Sequence, residues 1–215
     1  SSPMKSDMFS PQRALAVTVV TLIALEVVIV VLSWLVPAIY PYSHVRPLLS
    51  PEGARFLVGS LVSAMSLPPL LWLVLSAMSW GVLSESGLLQ TIALFVRRPH
   101  GHPFALRLSL YAAVAVTLIS IIIVSLLTFA PGAILLSATG EIWGSSFLMG
   151  LIPLLALTAG VSAAAYGFFS SRFSSSSSLL YSMCHGLRSA SPLIVLYVFA
   201  MQFLLSLLYA LGIVG

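Results

Sequence analysis

The sequence predicts an all-α, polytopic transmembrane helical protein, and three observations carry that reading. Of the 215 residues, 60% are hydrophobic and only 7% are charged, whereas a soluble domain carries roughly a quarter charged residues. Mean hydropathy is +1.12. Long apolar runs recur along the whole chain, and because each crossing takes about 20 residues plus a connection, the length accommodates about five or six helices.

Residues 1–13 read as a tag remnant, Ser1-Ser2-Pro3 ahead of Met4, followed by a cytoplasmic N-terminus. From there 14–215 reads as a single transmembrane domain. The first span covers 14–36 and is too long for a signal-peptide core. The following Pro37-Ala38-Ile39-Tyr40-Pro41-Tyr42 offers no cleavage site, so the helix is retained. Ser50-Pro51-Glu52-Gly53 then supplies a capping serine and a first-turn proline for a short helix over 51–66, placed at the membrane interface because it mixes Gly, Ser and apolar residues. The second span, 69–83, is short. Beyond the amphipathic stretch 88–96 and the basic connection Arg97-Arg98-Pro99-His100-Gly101-His102-Pro103 come spans at 104–130, 147–169 and 192–214. The serine-rich segment 170–178 reads as a cytoplasmic linker by composition.

Five crossings place the termini on opposite sides. Lys5, Arg13, Arg97, Arg98, Arg107, Arg172 and Arg188 fall on one side, and only Arg46 and Arg55 on the other. By the positive-inside rule the N-terminus is cytoplasmic and the C-terminus outside, with Trp34, Tyr40, Tyr42 and Trp143 near the outer interface. The formal charge of +4 is too small and too scattered for nucleic-acid binding.

Glu26 is the sharpest single residue, because a carboxylate near the middle of a span costs roughly 2.5–3.5 kcal/mol on insertion scales. It reads either as part of a proton or cation path or as a protonated, hydrogen-bonded residue joining helices, with Gln202 as its partner at similar depth. Gly160, Ala163, Ala164 and Gly167 set two small-xxx-small spacings on the fourth span and mark a packing face, within the subunit or between subunits. The single cysteine, Cys184, excludes a disulfide framework. His100, His102, Cys184 and His185 do not have the spacing of a zinc motif. No catalytic residue, metal site or cofactor is expected: Ser84-Glu85-Ser86-Gly87 lacks a nearby His or Asp for nucleophilic chemistry, and no phosphate loop or dinucleotide fingerprint is present.

Three segments, taken in order, resemble a known family. They are Leu48-Leu49-Ser50-Pro51-Glu52-Gly53-Ala54-Arg55-Phe56-Leu57, continuing through Pro69 to Met78 and Gly81-Val82-Leu83-Ser84-Glu85-Ser86-Gly87-Leu88-Leu89; Gly144-Ser145-Ser146-Phe147 with Ile152-Pro153-Leu154, Gly160 and Tyr166-Gly167; and Ala190-Ser191-Pro192-Leu193-Ile194-Val195-Leu196 with Val198-Phe199-Ala200-Met201-Gln202-Phe203. This pattern resembles the p-aminobenzoyl-glutamate transporter (AbgT) family. The resemblance implies a bacterial inner-membrane, multi-pass protein forming a homodimer, or joining a membrane partner subunit. Members of that family hold substrate and ions with two re-entrant hairpins. Here Leu89 leads through the basic connection directly into Phe104, and the sequence reaches Gly215 where the second hairpin is expected to begin. The resemblance therefore implies a truncated form with the scaffold and dimerisation spans. The expected function is a non-enzymatic dimeric scaffold or complex subunit without a complete transport site. The alternative is a minimal transporter or channel for a small solute or proton, lined by Glu26, Gln202, Ser63, Ser66 and Ser162.

Overall fold

The computed structural model describes residues 11–40, 42, 44–97, 103–129 and 146–213. Every regular element among them is helical: α1 (Pro11–Ile39), α2 (Pro51–Ser66), α3 (Pro68–Ser86), α4 (Leu88–Arg97), α5 (Phe104–Phe129), α6 (Ser146–Phe169) and α7 (Ser176–Ala210). Among the described residues four segments, Arg13–Ile39, Phe104–Leu126, Gly150–Phe169 and Ser176–Ala210, are long and apolar enough to cross a membrane, and the total is five if the bent pair α2 and α3 forms one broken span rather than a re-entrant loop. The described residues are thus all-helical, with several helices whose length and composition suit a multi-pass membrane protein. The surface is correspondingly oily. Helix α1 has 0% of its apolar window buried, which suits hydrocarbon rather than water as its surroundings.

Local chemistry explains the helix boundaries. The N-cap Ser50 accepts from the Gly53 amide at 3.0 Å, and Pro51 follows it at the first helical position. Leu67, in extended conformation, separates α2 from α3, because a residue ahead of Pro68 is disfavoured in the helical region. Gly87, with φ of +76°, ends α3 in the left-handed conformation that glycine adopts without strain.

The last helix departs from the sequence reading. It begins at Ser176 rather than near Pro192, so Ser176–Ser178 of the expected linker 170–178 are already helical. The serines are the reason. Ser178 Oγ accepts from the Ser175 amide at 3.4 Å and lies 2.6 Å from the Ser175 carbonyl, so a tract that reads as low complexity supplies its own helix cap. Pro192 then sits inside α7 without ending it, as occurs in membrane helices.

Within the stretch 14–215 that the sequence treats as one domain, the chain separates into two compact units, 1–70 with 191–215, and 71–190. In the first unit Leu48, fully buried, packs with Tyr209 and Ala210. The connection after α1 is tied there by the Leu48 amide donating to Ser33 Oγ at 3.1 Å and the Arg46 amide donating to the Ala210 carbonyl at 3.1 Å. Phe56 stacks on Tyr209 with centroids 4.2 Å apart, and the Arg46 guanidinium lies 5.9 Å from the Tyr209 ring.

In the second unit Val82, Leu88, Ala113, Ala163, Tyr166 and Phe173 form the core. Two glycines allow a close approach of backbones in this unit, Gly81 against the Ser182 carbonyl and Gly186 against the Ala77 carbonyl. A Cβ built on Gly81 would stand 2.6 Å from the Gly186 amide nitrogen, and one on Gly186 would stand 2.7 Å from that of Gly81. The backbones of α3 and α7 therefore touch where neither residue has a side chain. Gly81→Ala and Gly186→Ala should each lower stability by about 1–3 kcal/mol through forced backbone separation. Gly59→Ala is the control, since nothing lies within 4 Å of its added carbon; thermal unfolding in one detergent compares the three.

Candidate functional site

Two groups of polar side chains in the first unit converge on α7. On α1, Glu26 Oε1 accepts a hydrogen bond from Ser206 Oγ at 2.6 Å. On α2, Ser60 Oγ lies 3.2 Å from Gln202 Oε1 and 3.0 Å from the Leu57 carbonyl, and its single proton serves one of them at a time. Gln202 Nε2 donates to the same Leu57 carbonyl at 3.4 Å. One turn earlier, Tyr197 donates its hydroxyl proton to the Ala64 carbonyl at 3.2 Å. Residues 202 and 206 are four apart and so occupy one helix face, and α7 carries the partners of both α1 and α2. A cavity of about 320 Å³ beside this seam is lined by Phe56, Gly59, Ser60, Ser63 and Leu205.

The sequence reading pairs Glu26 with Gln202, and the structure separates them. Glu26 takes Ser206 and Gln202 takes Ser60, because the amide reaches α2 while the serine one turn on faces α1. Ser206 is fully buried. Glu26 Oε2 is also buried and has no hydrogen-bond partner among the described residues. A buried acceptor without a donor costs about 1–3 kcal/mol, and more when it belongs to an ionisable group.

The small residues of α6 are used inside the second unit. Ala163 is fully buried in the core and the half-buried Ala164 packs against that core. A Cβ on Gly160 would meet Ser79 Oγ at 2.9 Å, and Gly167 lies directly against the Phe173 ring. Ser162, expected to share a path with Glu26 and Gln202, belongs to this unit too. Its hydroxyl lies 2.8 Å from that of Thr117 on α5 and donates to the Thr158 carbonyl at 2.7 Å. Thr91 on α4 and Tyr166 on α6 share a further buried hydroxyl contact. Of the remaining serines, Ser63 lines the small cavity and Ser66 donates to the Ser63 carbonyl at 2.8 Å. Trp34, Tyr40 and Tyr42 are exposed. Trp143, His100 and His102 lie outside the described residues, among which no group of three His, Cys, Asp or Glu side chains could hold a metal.

Sequence reasoning missed Ser206, Ser60, Gly81 and Gly186, although signals for them were present. Ser206 follows Gln202 by one helical turn. Ala77-xxx-Gly81 on α3 and Ser182-xxx-Gly186 on α7 repeat the small-residue spacing recognised on α6.

No protein-family model, curated protein or solved structure matches the chain. The geometry leads to a paired expectation. Ser206→Ala removes the only donor to the Glu26 carboxyl seen among the described residues and should lower stability by about 1–3 kcal/mol. Glu26→Gln keeps an acceptor for Ser206 and should unfold at or above the wild-type midpoint; thermal melts in detergent read both.

Proposed function

We propose that the chain is a membrane scaffold: a helical frame resembling the stationary part of an AbgT-type carrier, acting in a bacterial inner membrane as a homodimer or as the subunit of a membrane complex. One observation carries the reading. Four pairs of polar side chains on the apolar helices bond across to a neighbouring helix, Ser60 with Gln202, Glu26 with Ser206, Thr117 with Ser162 and Thr91 with Tyr166. Small residues serve close helix approach in the same way. Used like this, hydroxyls and amides hold helices together at up to about 1–2 kcal/mol each. The N-terminus-inside orientation belongs to the same reading and rests on the distribution of Lys and Arg. No catalytic chemistry is part of it.

A second reading has one specific observation in its favour. Glu26 Oε2 is a buried carboxyl oxygen without a donor among the described residues, and intramembrane acids often mark ion or proton routes. Under this reading the assembly is a minimal carrier or channel for a proton or small solute.

Two measurements separate the readings. Cross-linking in native membranes should capture a second copy of the chain or one reproducible partner, and a chain recovered only as a monomer would defeat the scaffold reading. Proteoliposomes carrying an internal pH dye should show no proton flux beyond empty vesicles. Flux that disappears in Glu26→Gln would establish the carrier instead.

A further inference from the structure

Helix α4 takes no part in the seam of the first unit, and it is too short to be a span. It has ten residues, and at about 1.5 Å per residue it reaches roughly half the hydrocarbon thickness of a bilayer. Gly87, in its left-handed conformation, cuts it off from α3, and α5 is long and apolar enough to cross without it.

The sides of α4 are unlike one another. One side holds it to the protein: Leu88 belongs to the core of the second unit, and the buried Thr91 meets the Tyr166 hydroxyl. A second side is apolar and bare. Leu89, Ile92 and Val96 recur at intervals of three and four residues and so share a face, and all three are exposed, Val96 at 79%. Gln90 and Arg97, seven residues apart, mark a third side that is polar and exposed. An apolar stripe beside a polar face is the pattern of a helix that lies in the plane of a membrane surface.

Positive charge brackets the same helix. Arg97 stands in its last turn. At its start, a Cβ built on Gly87 would lie 3.1 Å from Arg172 Cζ, so a second guanidinium sits beside the first residues of α4. Arg107 is exposed in the first turn of α5, which packs against α4. Among the described residues none of these three arginines has an ion-pair partner. The sequence also carries no Asp or Glu between Glu85 and Glu141, so the charge of α4 and α5 is wholly cationic.

We propose that α4 is an in-plane anchor for anionic lipid. Leu89, Ile92 and Val96 enter the acyl boundary, and Arg97, Arg107 and Arg172 take the headgroup phosphates. Guanidiniums match phosphate oxygens through paired N–H donors, and the arginine stem lies along apolar surface while its charge stays at headgroup level. A protein partner fits this surface less well. A stable interface covers about 800 Å² a side, and three aliphatic side chains, each smaller than the aromatic ones that bury about 150–250 Å², fall short of it. The anchor is independent of whether the assembly is a scaffold or a carrier.

The test uses the full chain. Bimane is attached to L89C, I92C, V96C and, for contrast, Q90C, each in the C184S background and reconstituted in dioleoylphosphatidylglycerol bilayers. Lipids brominated in their acyl chains should quench the first three labels more strongly than Q90C, and iodide in the buffer should show the reverse order. Native mass spectrometry in neutral detergent then compares dioleoylphosphatidylglycerol with dioleoylphosphatidylcholine. The unsubstituted chain should favour phosphatidylglycerol, and R97Q and R107Q should each lose about five-fold of that preference, with R55Q on α2 as the control. Labels at 89, 92 and 96 that bromine does not reach mean that something other than lipid covers the stripe, and overturn the proposal. So does a preference that is absent, or one that R55Q lowers as much as R97Q and R107Q do.

Discussion

Hydrocarbon offers no hydrogen bonds, and that constraint organises everything else in this chain. Each polar group placed within a membrane helix must find its partner inside the protein. Hydroxyls on the helices first use the carbonyl a turn behind them, as Thr21 does with Val17, Ser109 with Ala105 and Thr158 with Leu154. A smaller set reaches across to another helix, and those are the side chains that decide which helices lie together. Glu26 is where, among the described residues, the rule is only half met, one oxygen bonded and the other buried without a donor.

Close packing supplies what the hydrophobic effect cannot supply between helices in lipid. Leucine and valine gain nothing by leaving hydrocarbon for one another, so association relies on shape, and shape relies on small residues. The α3–α7 approach at Gly81 and Gly186 and the α3–α6 approach at Ser79 and Gly160 both follow this logic.

Much of the architecture was legible from composition and punctuation. Apolar run length located α1, α5 and α6 to within a few residues, and Ser50-Pro51 located the start of α2. The beginning of α7 was not legible, because a serine tract has the composition of a linker whether or not one of its hydroxyls caps a helix; only the geometry of Ser175 with Ser178 distinguishes the two. The seam was half visible. Glu26 and Gln202 stand out as costly residues, but which serine each would take depends on helix rotation, which hydropathy does not report. Gly160 and Gly167 were visible as a packing face, while what they pack against, Ser79 and Phe173, is a tertiary fact.

The paired glycines of α3 and α7 make a single constraint out of two distant positions. Once a side chain at one of them has pushed the backbones apart, the gap it opens receives a side chain at the other, so the two injuries overlap instead of adding. The effect of a substitution at 81 is therefore conditioned by what occupies 186. A sequence that tolerates alanine at either will have widened the whole crossing, and will have had to refill that space from the residues around it.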